Sequence, residues 1–173
     1  MAGGCAILRR VTDLRAIRIR NGREEDAQEL AALFHASVSQ IAAQHYSDEQ
    51  ARAWSPTEAD PDRFVMRITD GRTFLVATGS DGSILAYGDL EANGHIDHLY
   101  ARPDAAGTGV ARLIYDRLEQ AAHESGIERL FVEASEPASR FFSKRGFQIV
   151  ERNDFELAGV PIHNFRMEKL LNL

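Results

Sequence analysis

The residues best suited to chemistry lie in one run, Tyr100-Ala101-Arg102-Pro103-Asp104-Ala105-Ala106-Gly107-Thr108-Gly109-Val110-Ala111. An extended stretch ends there, a short proline-bearing loop follows, and glycines open a long helix with an apolar stripe. The first turn of a helix leaves backbone N–H groups unpaired and carries a partial positive charge. Glycine at that point lets a ligand come close to the main chain. The combination suits a diphosphate and needs no lysine. Downstream, past an intervening strand, Ala138-Ser139-Arg140-Phe141-Phe142-Ser143-Lys144-Arg145-Gly146-Phe147 reads as a short helix ended by glycine.

Other elements must hold these two segments. Ala16-Ile17-Arg18-Ile19-Arg20 alternates apolar and charged residues and reads as a first strand. Asn21-Gly22 breaks it. Glu24, Glu25 and Asp26 then crowd the first turn of a helix whose stripe is Leu30, Leu33, Phe34, Val38 and Ile41. Ser47 with Gln50 forms a capping box, so a short helix starts at Asp48 and carries Ala51 and Trp54. Asp60-Pro61 opens another, with Phe64, Val65 and Ile68 facing inward. The period then becomes two. Strands are expected over Thr73 to Thr78, Ile84 to Glu91 and His95 to Ala101, joined by the Gly79–Gly82 turn and the Asn93-Gly94 hairpin signal. Such hairpins make the first half of the sheet antiparallel. The helix Gly107 to Ser125 carries Val110, Leu113, Ile114, Tyr115, Leu118 and Ala121 and stops at Gly126. A strand over Leu130 to Ala134 follows, and a strand–helix–strand passage of this length implies a parallel crossover. After a short helix over Pro137 to Arg145, strands over Phe147 to Phe155 and Ile162 to Leu170 flank a Gly159-Val160-Pro161 turn.

Length and charge narrow the function classes. The 173 residues fit one α/β domain, read as 15–173, with residues 1–14 as an N-terminal extension. A net charge of −6 argues against a general nucleic-acid binder, which needs a basic face. Cys5, a lone cysteine, allows neither an internal disulfide nor a cysteine-based zinc site. His95 and His98, three apart on a strand, diverge, and His35, His45, His123 and His163 lack zinc spacing, so no metal is expected. No apolar run approaches the roughly 18 residues of a membrane span, which makes a cytoplasmic protein the expectation.

Together the two glycine-ended segments resemble the GNAT N-acetyltransferase superfamily. Its pattern, V-x-P-x-x-Q/R-x-x-G-x-G/A followed by A-x-x-F-Y-x-K-x-G-F, is matched by Pro103, Gly109 and Ala111, with Gly107 at an often-glycine position, and then by Ala138, Phe141, Lys144, Gly146 and Phe147. Gln44-His45-Tyr46-Ser47 and Ile96-Asp97-x-Leu99 resemble the bacterial YafP-like branch. The resemblance implies an α+β fold with a splayed, mostly antiparallel sheet of about seven strands, flanking helices, and acetyl-CoA as cosubstrate in the cleft between the fourth and fifth strands. It assigns pantetheine contacts to the main chain of Leu99, Tyr100 and Ala101. The pyrophosphate falls to Ala106, Gly107, Thr108, Gly109, Val110 and Ala111, and the far side of the cofactor to Phe141, Phe142 and Lys144. Two positions depart from the pattern. Ala106 stands where Gln or Arg is usual, and Phe142 where a frequent tyrosine protonates the leaving thiolate.

The implied reaction is attack of a neutral amine on a thioester in a ternary complex. Positioning and carbonyl polarisation supply most of the gain, and a base adds typically about 10²–10⁴-fold. Asp97 and Glu133 are the candidate bases, on the fourth and fifth strands. Strand alternation puts His95 and Asp97 on one face and His98 on the other. His45 and Tyr46 lie in the break where this fold places the acceptor, and Tyr46 is a candidate replacement acid. The acceptor is expected to be a small-molecule or peptide amine, bound by Val38 to Trp54 and Val160 to Phe165; neither nucleic acid nor membrane is expected, and the chain is monomer or homodimer. Two other readings are open. A dinucleotide oxidoreductase would use Gly107-Thr108-Gly109 and Glu133, but its third glycine position is Arg112. A non-catalytic acetyl-CoA-binding or sensing module is the alternative that Phe142 supports.

Overall fold

A computed structural model describes residues 14–40, 46–55 and 60–172. The expected extension falls almost wholly outside them. Two antiparallel sheets are built. The first has the order β1 (Arg18–Asn21), β2 (Thr73–Thr78), β3 (Ile84–Leu90), β4 (Leu99–Ala101); the second runs β5 (Arg129–Ala134), β7 (Val160–Leu170), β6 (Gln148–Leu157). Helices α1 (Ala27–Gln40), α2 (Asp48–Trp54) and α3 (Pro61–Thr69) precede β2, while α4 (Val110–Glu124) and α5 (Glu136–Ser143) flank β5 in the chain.

Alternation along β2 explains how the first sheet is sandwiched. Leu75 and Ala77 pack in one core with Ile114, Tyr115 and Leu118 of α4. Phe74 and Val76 pack in the other with Leu30 and Leu33 of α1 and Phe64 of α3. Helix period matches on the partner side, since α4 buries Val110, Ile114, Tyr115, Leu118 and Ala122. Removing one such leucine side chain costs typically about 2–5 kcal/mol.

Helix starts form as their residue types dictate. Ser47 Oγ accepts from Gln50 N–H at 3.1 Å and Gln50 Oε1 accepts from Ser47 N–H at 3.0 Å. The same Gln50 amide donates to the Pro161 carbonyl at 2.7 Å and ties α2 to the last hairpin. That hairpin turns at Ala158-Gly159, with φ of 52° and 78°, and not at Gly159-Val160-Pro161. Two central residues with positive φ match the right-handed strand twist. Pro161 continues the strand opposite Glu156 at the projecting end, where β5 does not reach to need its missing N–H.

The fourth strand differs most from expectation. Only Leu99–Ala101 forms the ladder with β3. Asp89 N–H donates to the His98 carbonyl at 3.0 Å and Glu91 N–H to the His95 carbonyl at 2.9 Å. Two steps on β3 thus span three on its partner, which is a bulge at Ile96-Asp97. Gly94, at φ 92°, lets this segment lie against β5; a Cβ there would come within 2.0 Å of the Arg129 carbonyl oxygen. Two parallel bonds result, Phe131 N–H to the Gly94 carbonyl at 3.0 Å and Ile96 N–H to the Phe131 carbonyl at 2.9 Å. Past Ile96 the two strands part.

Candidate active site

A cleft of about 330 Å³ occupies the opening between β4 and β5. Its strand walls follow from hydrogen-bond parity. The His98 carbonyl and Arg102 N–H pair with β3, at 3.0 and 2.8 Å. Alternate residues of an antiparallel strand turn their main-chain groups to opposite sides. The N–H and C=O of Leu99 and Ala101 therefore face the opening, whereas those of Tyr100 face β3. The Tyr100 ring lines the cleft instead, edge-on to Phe34 at 5.0 Å.

The α4 start closes one end. Gly109 caps the helix at φ 96° and ψ 0°, and Gly107 has φ 76°. A Cβ on Gly107 would meet nothing within 4 Å, so the glycine faces open space, and Ala106, Gly107 and Ala111 line the cleft. Thr108 Oγ donates to the Ala105 carbonyl at 2.7 Å and fixes the loop, while Val110 is a core residue. An opening with glycine backbone, a helix N-terminus and an unpaired strand edge fits a diphosphate carried on an amide-containing arm. Phe141 and Phe142 line the cleft from α5. Phe142 is buried edge-to-face against Phe141, Tyr115 and Phe147, and the Arg145 guanidinium lies 3.5 Å from the Phe141 ring centre. Lys144 is exposed at the end of α5, outside the cleft lining.

The two candidate bases both reach the cleft but sit in different company. Asp97 Oδ2 lies 2.5 Å from Arg67 Nη2 and 3.8 Å from Arg72 Nη1. Burial works to raise its pKa, but the hydrogen bond and charge of Arg67 prevail and hold it below the ordinary carboxylate range. A carboxylate so held is a weak proton acceptor. The same arginines grip the fully buried Asp89, Arg67 Nη2 at 2.7 Å and Arg72 Nη1 at 3.2 Å, and Arg72 also reaches Asp70 and Glu91. Glu133 Oε2 instead bonds His95 Nε2 at 2.6 Å, and its carboxylate is about one-third exposed.

His98 is not opposite Asp97. Its ring stacks on Phe34 at 5.5 Å and meets Phe64 of α3, the helix that supplies Arg67 to Asp97. The bulge breaks the alternation on which the expectation rested. Tyr46 is buried; its hydroxyl accepts the Glu136 N–H at 2.9 Å, in the first turn of α5, and it is not among the cleft-lining residues. Burial raises its pKa. His45 lies outside the described residues. The two expected acceptor segments do meet, through Gln50 and Pro161 and through the Tyr46 and His163 rings at 6.3 Å. Sequence reasoning missed the Arg67–Arg72 clamp and the His95 partner of Glu133. One signal was available, since an aspartate inside the apolar run Tyr87-Gly88-Asp89-Leu90 needs a cationic partner when buried.

Residues 42–169 match the family model described as an acetyltransferase (GNAT) domain. The chain belongs to the GNAT acetyltransferase family. It is 31% identical over 152 residues to the uncharacterized N-acetyltransferase YafP of Escherichia coli (strain K12), covering 87% of this chain and 94% of that one. A GCN5-related N-acetyltransferase from Rhodopseudomonas palustris superposes with a TM-score of 0.82 at 37% identity over 89% of this chain and 95% of that one. The PaiA N-acetyltransferase of Thermoplasma acidophilum, solved with coenzyme A, shares the fold, with a TM-score of 0.73 at 20% identity over 90% and 99% of the two chains. Among the described residues no helix is long and apolar enough to cross a membrane.

Proposed function

We propose that this GNAT enzyme moves an acetyl group from acetyl-CoA to a primary amine by direct attack in a ternary complex, with Glu133 as the base. The carrying observation is the juxtaposition of three features in one cleft: the unpaired β4 edge, the glycine-opened start of α4, and the Glu133 carboxylate. Acetyl-CoA, when bound, supplies an acetyl group activated as a thioester.

The chain's own groups have separable tasks. The first N–H groups of α4, with Ala106 and Gly107, hold the diphosphate. The main-chain groups of Leu99 and Ala101 align the amide arm and polarise the reacting carbonyl. Glu133 takes the ammonium proton, so that a neutral amine attacks; the C–N bond forms, the C–S bond breaks, and the surplus proton on the newly attached nitrogen passes to the leaving thiolate. Phe142 offers no proton for that last step. Asp97, held by arginine, shapes the acceptor wall.

Initial rates with acetyl-CoA and a primary amine both varied test the route. Lines that intersect in double-reciprocal plots support the ternary complex. Parallel lines would mean an acetylated enzyme and would overturn direct attack.

A further inference from the structure

We infer that the acceptor is a cationic amine with an apolar body and no acidic group beside the amine. This rests on the proposed acetyl transfer and deepens it. The cleft carries an uneven set of charges. Among the described residues its ionisable lining side chains are Asp97, Glu133 and Tyr100, and none of those lining residues is Lys, Arg or His. The charge behind that wall has the same sign. Two guanidiniums, of Arg67 and Arg72, are shared among four carboxylates, of Asp70, Asp89, Glu91 and Asp97.

Arg67 is the arginine that reaches the cleft-lining Asp97 most closely. Its Nη2 is already committed to Asp89 at 2.7 Å and Asp97 at 2.5 Å, so Asp97 stands between that charge and the cleft. The short segments outside the described residues that adjoin α1 and α2 in the chain, residues 41–45 and 56–59, hold His45 and Glu58 but neither lysine nor arginine. An acceptor carboxylate would therefore meet the like charges of Asp97 and Glu133, which disfavours it strongly once water is excluded. An ammonium meets the opposite situation. Beside the carboxylates, Val38, Trp54, Ile96 and Tyr100 supply apolar and aromatic surface, and aromatic faces attract cations.

A matched pair of probes decides the matter. Phenethylamine and phenylalanine share the ring and an amine of similar basicity, and differ by one carboxylate. Thiol release is measured with each over a range of concentrations, for the parent and for Asp97→Asn. The parent should favour phenethylamine in kcat/KM by about tenfold or more, a difference of about 1.4 kcal/mol. Asp97→Asn removes one acidic group and leaves Arg67 paired with Asp89 alone, so the preference should shrink several-fold whatever the absolute rate. Phenylalanine used as well as phenethylamine by the parent would overturn the acceptor class and leave acetyl transfer standing. No acetylated product from either amine, nor from any other primary amine, would overturn acetyl transfer itself and the inference with it.

Discussion

His95 Nε2, on the segment leading into β4, and Glu133 Oε2 of β5 lie 2.6 Å apart, beside the parallel bridge of His95 to Phe131. The imidazole is stacked on Phe131 at 4.7 Å and 5°, and its Nδ1 lies 3.5 Å from Glu91. A carboxylate at the cleft is thus backed by a group that can orient it and pass its proton toward a second carboxylate. Glu133→Gln should lower kcat by about 10²-fold or more, the usual worth of a positioned base. Acetyl-CoA affinity should be kept. His95→Asn should cost less in kcat and move the pH profile. Asp97→Asn should lower kcat less than Glu133→Gln, because Arg67 already opposes protonation of Asp97. Steady-state kinetics across pH check all three, and Glu133→Gln at the parent rate would remove Glu133 as base.

Ala106 tests the diphosphate cradle without straining the chain. It is exposed, lines the cleft, and has φ −62°, which any residue adopts. A charge near a helix N-terminus is worth typically about 0.3–1 kcal/mol. An arginine there adds a cation of its own, so Ala106→Arg should tighten coenzyme A binding by about 2–5-fold and Ala106→Asp should weaken it by a similar factor. Calorimetric titration measures both. One Kd for all three proteins would displace the diphosphate from the α4 start.

Tyr46 is assigned to structure by its hydrogen bond. Its hydroxyl satisfies Glu136 N–H, one of the donors that the start of α5 leaves unpaired. Tyr46→Phe should cost about 1 kcal/mol, a fall in melting temperature of about 2–4 °C for a domain of this size. Turnover should largely persist. A kcat loss far beyond that stability change would restore the phenol as the acid that Phe142 cannot be.

Much of this was legible because it is local. The β2 bounds follow from period two, and the α2 start from Ser47 and Gln50, whose partners lie three residues apart. The glycines at 107 and 109 carry the left-handed backbone that marks the cradle. What was hidden depends on distant partners. The Ile96-Asp97 bulge arises where Gly94 packs on Arg129, and nothing in His95 to Ala101 announces it. It shortened β4 and redirected His98. The pairs Arg67–Asp97 and His95–Glu133 span 30 and 38 residues, so the chain's fold, and no local pattern, decides which candidate base is neutralised and which is supported.

His98 gives the fold a pH dependence of predictable sign. The ring is packed among Phe34, Phe64 and Tyr87, and its Nδ1 is 3.0 Å from the Tyr87 hydroxyl. Burial, assisted by the Arg67 charge, lowers its pKa from 6.5 to about 4. Between those values the unfolded chain binds a proton that the folded chain refuses. Protons in that window therefore favour unfolding, so stability is full above the unfolded pKa and falls as pH drops toward 4. The shift corresponds to a loss of order 2–3 kcal/mol across the window, or several degrees of melting temperature. Asp97 and Asp26, whose pKa values are held below the ordinary carboxylate value, contribute losses only at lower pH. Melting curves at pH 7, 6, 5 and 4.5 resolve the two regimes. His98→Gln retains a partner for the Tyr87 hydroxyl and does not titrate, so its melting temperature should stay flat from pH 7 to 5 while the parent's falls. Parallel pH curves for parent and variant would mean that His98 is protonated in the folded chain, and the packing of its ring would have to be loose enough to admit the charge.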